Sequence, residues 1–186
     1  MGELVEHVDG QDRVVGVMER GTAVRGRHLY RMSMVILRDF EDRYLVHRRP
    51  ENSPRFPGEY SWMIAGAVGV GESYEAAARR ELLEEMGVDA PVRSVFKFLC
   101  DGQLSPYWFA VHEAVVDPAT IAPCEDDAAW HGWLTEAELV NAMAAWTFVS
   151  DSRDAFTRYM ALKAQGRPQG PTSSGKTHRP PPLPGR

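Results

Sequence analysis

The sequence predicts a mixed α/β or α+β fold, one domain of two or three layers, on three observations. Short β-rich runs recur from residue 3 to residue 134. Helical patterns interrupt or follow them over 73–86, 135–146 and 151–164. Hydrophobic residues make up 44% of the 186, enough to build a core. The composition then changes at residue 165, where "QGRPQGPTSSGKTHRPPPLPGR" has too little apolar content to pack and reads as a disordered tail.

Taken in order, "ELVEHV" (3–8) and "RVVGV" (13–17) flank "DGQD", a polar glycine-containing turn, and so predict a hairpin. Residues 18–28, "MERGTAVRGRH", read as a loop or a single helical turn. Residues 30–38 form a strand, apolar enough in its later part to be buried, and 44–49 form the next, with Arg48 and Arg49 at its exit. Three prolines and a glycine make 50–61 a loop. The apolar run 62–70 is broken by glycines. Ser73 is a good N-cap and Gly87 a stop signal, which bounds a helix over 73–86. Strands follow at 92–100 and 106–116, a loop at 117–127 and a short strand at 129–134. Thr135 and Glu138 have capping-box spacing ahead of a helix over 135–146, and a last helix covers about 151–164.

The net charge is −5, which argues against a broad basic surface for a nucleic acid polymer but leaves room for a phosphate-bearing small molecule. The two cysteines, Cys100 and Cys124, have no metal-type spacing and read as reduced thiols. The first twelve residues have neither the basic nor the apolar stretch of a secretory leader, and no apolar run is long enough for a membrane span. A soluble cytoplasmic protein is the expectation. "GPTSSGKT" (170–177) matches a phosphate-loop pattern. The mechanism of that motif needs a strand before it and a helix after it, and "HRPPPLPGR" cannot be helical, so the match is read as chance.

"GAVGVGESYEAAARRELLEEMGV" (66–88) is the informative stretch. With Glu81 at zero on a helical wheel, Glu84 falls at about −60° and Glu85 at about +40°, so three carboxylates share one face. Ala77 and Ala78 lie in the same arc. Leu82, Leu83 and Met86 fall on the other side, where the core is expected, so the glutamates point away from it. Like charges at i, i+3 and i+4 destabilise a helix unless something neutralises them. A hard divalent cation, Mg²⁺ above all, would do so. The competing reading is a solvated acidic face paired with Arg79 and Arg80.

Gly66, Glu72, Arg80, Glu81, Leu82, Glu84, Glu85, Gly87 and Val88 together resemble the complete Nudix box, and the resemblance extends over roughly residues 1–163. It implies an α/β class fold, the Nudix α/β/α sandwich with a mixed sheet over 29–164, preceded by a hairpin extension at 1–28 and followed by the tail at 165–186. It implies hydrolysis of a diphosphate linkage in a nucleoside diphosphate linked to another moiety, with Mg²⁺ or Mn²⁺ as cofactor. By match to the motif, Glu81, Glu84 and Glu85, with the carbonyl of Gly66, would hold the metal. Arg80 would position the glutamates, and Glu72 would bind a further metal through water. Glu81 or an acid from a later loop would act on the attacking water. Glu125 is the candidate there, with a solvated loop acid as the competing reading. Of Arg48 and Arg49, one is expected on substrate phosphate and the other in a surface salt bridge. A homodimer is implied by resemblance alone.

The N-terminal hairpin also resembles the branch that includes isopentenyl-diphosphate isomerase. That chemistry needs a Cys and a His flanking the first box glycine, and Ala65 and Ala67 stand there. The prediction is therefore a hydrolase on the isomerase-like branch. The remaining alternatives are an isomerase or a nucleotide-sensing module that binds without turnover.

Overall fold

The computed structural model describes residues 2–166. The phosphate-loop-like match and all of the tail beyond residue 166 lie outside the described residues. The N-terminal hairpin pairs β1 (Leu4–Val8) with β2 (Val14–Glu19) as a separate two-stranded sheet. It is tied to the rest by a bridge between Val5 and Gly69 and by Glu6, which accepts from Gly71 N at 3.0 Å and from Arg31 at 2.6 Å. The segment expected as a loop or single turn instead contains α1 (Arg20–Gly26). Its sequence has two glycines and no side-chain cap, so its stability comes from packing. Ala23 is fully buried, and Arg27 closes the helix in the left-handed region at φ 51°.

β3 (Tyr30–Arg38) organises the main sheet. It runs parallel to β8 (Tyr107–Val115) along its whole length. It is antiparallel to β6 (Ile64–Ala67) over residues 32–35 and touches β4 (Tyr44–Arg48) only where Arg38 meets Tyr44. β4 then splays away to pair with β5 (Tyr60–Ser61) and β9 (Trp130–Leu134), while β7 (Arg93–Cys100) closes the other edge on β8. The predicted loop at 50–61 thus ends in a two-residue strand, and the glycine-broken run at 62–70 supplies a paired one.

Period-two alternation along β3 builds two cores. Met32, Met34 and Ile36 face one, together with Leu139 and Met143 of α3 (Glu136–Ala145) and Ala155 and Tyr159 of α4 (Ser150–Gly166). Val35 and Leu37 face the other, against Ala78, Leu82 and Met86 of α2 (Tyr74–Met86). Helices therefore cover both faces of a mixed sheet. Ser73 accepts from Ala76 N at 3.1 Å, Gly87 ends α2 at φ 70°, and Thr135 with Glu138 completes the capping box of α3. Each such cap is worth about 1 kcal/mol. Among the described residues, no helix is long and apolar enough to cross a membrane.

One sequence expectation about α2 is corrected. Leu83 is 52% exposed, whereas Ala77 and Ala78 are buried. The buried arc is centred nearer Ala78 and Leu82 than the wheel assumed. The glutamate face consequently borders the packing face.

Candidate active site

The two arms of the sheet, β3–β6 and β4–β5, separate beyond Arg38, and residues from both line a cavity of about 390 Å³. α2 supplies Arg80, Glu81, Glu84 and Glu85. β6 supplies Ala65 and Gly66, and β4 supplies His47. The loop after β4 supplies Arg49, Arg55 and Phe56, and α1 supplies Arg20. Met32, Met63 and Phe109 form apolar wall, and Asp127 and Ser152 close the circuit.

Gly66 is a glycine because Glu81 lies against it. A Cβ at that position would sit 1.8 Å from Glu81 Oε1. This brings the Gly66 backbone and a carboxylate to one wall. Arg80 uses all five of its donors there. Nε and Nη2 donate to Glu72 at 3.0 Å each, Nη2 also to the Ala67 carbonyl at 2.9 Å, and Nη1 to Glu81 at 2.6 Å and Glu84 at 3.3 Å. Glu72 is further occupied by Gly69 N at 2.8 Å. It anchors Arg80 and the turn before α2 and is not among the residues lining the cavity.

Glu85 is the outlier. Its carboxylate has no hydrogen bond or ion pair among the described residues. Burial, with Asp127 and Glu81 adding repulsion, pushes its pKa up to about 8. Burial likewise raises that of Glu81. These residues suit a divalent ion: hard oxygen donors on one wall, one of them unpartnered, beside a backbone that only glycine can present. Among the described residues, however, no three acidic, histidine or cysteine side chains are close enough together to hold a metal as they stand. Arg80 lies between Glu81 and Glu84 and draws both toward itself.

The remaining candidates separate cleanly. Arg49 lines the cavity. Arg48 does not: it donates to the Gly58 carbonyl at 3.0 Å, pairs with Glu51 and lies over the Tyr60 ring. Glu125, the loop acid expected from the sequence, is exposed and is not among the residues lining the cavity, whereas Asp127 is. The Cys124–Asp127 turn explains the difference. Cys124 N is fixed to Glu85 O at 2.8 Å and Asp127 N to Cys124 O at 3.0 Å, which turns Glu125 outward and carries Asp127 to the cavity wall. Glu113, another downstream acid, is buried and engaged by Arg93 and Tyr159.

Sequence reasoning gave His47, Arg20 and Arg55 no role. His47 is 1% exposed, and burial and Arg49 push its pKa down to about 3, so it is a neutral ring at pH 7. Its Nδ1, Arg20 Nε and Ser152 Oγ are three of the four buried side-chain polar atoms without a hydrogen-bond partner among the described residues, and all three residues line the cavity. None of them has a spacing that marks it in the sequence.

Comparison with known proteins gives the same picture from outside the site. An uncharacterized Nudix hydrolase of Streptomyces coelicolor is 42% identical over 176 residues, 93% of this chain and 95% of that one. A prenyl-diphosphate phosphatase of Methanosarcina mazei is 38% identical over 97 residues, 52% of this chain and 56% of that protein. A crystal structure of a Deinococcus radiodurans protein superposes with a TM-score of 0.73 at 29% identity, covering 84% of this chain and 98% of that one. The NUDIX domain model matches residues 28–159, from just before β3 into α4 and across the whole cavity wall from Gly66 to Glu85, and the chain belongs to the Nudix hydrolase family.

Proposed function

We propose that this chain hydrolyses the P–O–P linkage of a small-molecule diphosphate with the aid of Mg²⁺ or Mn²⁺. The observation that carries the reading is the unpartnered, half-buried carboxylate of Glu85 beside Glu81 and Gly66, on the wall of a cavity that Arg49 also lines. Glu81, Glu84, Glu85 and the Gly66 carbonyl would hold the ion. When bound, it neutralises diphosphate oxygens and lowers the pKa of coordinated water. Arg80, fixed by Glu72, sets where Glu81 and Glu84 can point. Arg49 offers a cation to substrate phosphate. Asp127, not Glu125, takes the part of the loop acid that accepts a proton from the attacking water, supported by its position on the cavity wall.

Two classes of diphosphate compete. Family resemblance implies a nucleoside diphosphate linked to another moiety. The Methanosarcina relative is named for prenyl diphosphates, and the apolar wall of Met32, Met63 and Phe109 favours an aliphatic group of that kind. An isomerase is disfavoured because Ala65 and Ala67, on either side of Gly66, have no proton to give or take. A sensor without turnover is the remaining alternative.

The test is a Mg²⁺-dependent hydrolysis screen over both classes, isopentenyl diphosphate included, with products resolved by mass spectrometry. Cleavage of a P–O–P bond is the expected result. An isomerised isoprenoid with no cleavage, or ligand binding with no turnover, would overturn the reading.

A further inference from the structure

Besides Arg80, three guanidinium groups line the cavity, each with donors that no carboxylate meets. Arg55 makes no hydrogen bond or ion pair through its guanidinium among the described residues. Arg49 donates only to neutral oxygens, the Arg55 carbonyl and Ser53 Oγ, each at 3.0 Å. Arg20 pairs with Glu3 at 2.9 Å, yet its buried Nε has no partner. Arg20 and Arg49 each disfavour the charge on Arg55, so the three repel within one cavity. Arg31 and Arg80 are the contrast: Arg31 bonds both Glu6 and Asp12, and Arg80 bonds three glutamates. Of the acids in the same lining, Glu3 pairs with Arg20 and partly offsets the charge on Arg55, whereas Asp151 is engaged by Tyr107 and Ser150. His47 and Ser152 add two unpartnered neutral polar atoms to the lining.

Three cations lining one cavity, one of them exposed and without an ion pair among the described residues, call for a compact, highly charged anion. A terminal phosphate carries close to two charges near neutral pH and three exposed oxygens. An internal phosphate of a diphosphate esterified at both ends carries one. The cavity volume of about 390 Å³ is near the small end of ligand sites, which leaves little room for large groups on both ends.

We propose that Arg20, Arg49 and Arg55 form a subsite for the terminal phosphate of a diphosphate monoester. The chain then acts on diphosphates with one free end and not on those esterified at both ends. This rests on the hydrolase reading above. The bridging P–O bond breaks, water oxygen forms the new P–O bond, and the products are one monophosphate ester and one inorganic phosphate, with the proton released to solvent or to the loop acid.

The experiment compares Mg²⁺-dependent turnover of matched pairs that differ in the free end, ADP against ADP-ribose and isopentenyl diphosphate against its phosphate-methylated ester. It uses the wild-type chain, Arg55→Ala and Arg20→Lys. Arg55 lies in a loop and bonds nothing through its guanidinium, so its removal leaves folding intact, as an unchanged circular dichroism melt would verify. Expected are a preference of at least about tenfold for the free-ended member and, in Arg55→Ala, a KM for it raised about 10- to 100-fold with kcat little changed, the scale of one lost charge-assisted hydrogen bond. Equal or better turnover of the doubly esterified members, or an unmoved KM in both variants, overturns the subsite and leaves the hydrolase reading standing. If no diphosphate is cleaved, calorimetric titration with methylenediphosphonate decides the subsite independently. Binding weakened at least about tenfold in Arg55→Ala supports it, and equal binding to wild type and variant overturns it.

Discussion

Replacing Glu85 by Gln separates what the residue does for function from what it does to stability. The side chain keeps its shape and loses its charge. In the metal-free protein the Glu85 carboxyl has its pKa raised from 4.5 to about 8 by burial and by Asp127 and Glu81. An acid held to a higher pKa in the folded than in the unfolded state binds its proton more tightly when folded. Stability therefore falls as pH rises from about 4.5 to about 8 and is flat beyond. At pH 7 linkage sets the full penalty at about 3 kcal/mol, and screening through the open mouth of the cavity reduces it to about 1–3 kcal/mol. The Gln variant escapes that penalty. In EDTA at pH 7 its thermal midpoint should exceed that of the wild type by about 3–8 °C for a chain of this size. Its stability should also lack the downward slope between pH 5 and 8. Mg²⁺-dependent turnover should fall at least about 100-fold. Urea denaturation across that pH range, with and without Mg²⁺, alongside a phosphate-release assay, measures all of this. A Gln variant less stable than wild type in EDTA, or one that keeps its Mg²⁺-dependent rate, would refute the reasoning.

Four further substitutions, one of them a control, test the rest of the site. Gly66→Ala would place a Cβ 1.8 Å from Glu81 Oε1, so that carboxylate must move; a loss of turnover of at least about 100-fold is expected with a stability loss of only about 1–3 kcal/mol, read from kcat and urea midpoints. Asp127→Asn should lower kcat by about 10²–10⁴-fold while Glu125→Gln stays within about twofold of wild type, because only the first lines the cavity; parallel kcat measurements check the contrast. Arg80→Lys keeps the charge but has three donors for five acceptor contacts, and should weaken Mg²⁺ activation about 10- to 100-fold, measured as the Mg²⁺ concentration for half-maximal rate.

Much of this protein was legible in its sequence where one local signal sufficed. The Ser73 and Gly87 caps bounded α2, the Thr135–Glu138 spacing announced α3, and the apolar run from Met32 to Leu37 marked the central strand. What escaped depended on partners far along the chain. α1 has weak propensity and exists because Ala23 finds the core. β6 carries a glycine that reads as a break, and that glycine is what lets Glu81 approach. Leu83 was assigned to the core because a wheel gives a residue's angle but not where the neighbouring sheet lies. Glu125 and Asp127 are both acids of one loop, and only the turn anchored on Glu85 O separates them. The helical half of the site could be read because four of its residues lie within six positions. The basic half could not, because Arg20, Arg49 and Arg55 come from a helix and a distant loop with no common period.

The two halves also explain why so much acid is crowded onto α2. Ion pairing among the chain's own residues would be the simplest relief for three neighbouring carboxylates, and the chain has enough arginine around the cavity to provide it. Arg80 does relieve Glu81 and Glu84, but it is anchored by Glu72 and makes no bond to Glu85. Arg49 favours the charged form of Glu85 without hydrogen-bonding to it. The cavity thus brings acidic and basic side chains together without pairing all of them: Glu85 and Arg55 each lack an ion-pair partner among the described residues. A cation alone would relieve only the first and an anion alone only the second. A metal–diphosphate complex carries both charges on one ligand and would relieve both. On these electrostatics, metal and diphosphate should bind with mutual enhancement, each raising the other's affinity by the same factor.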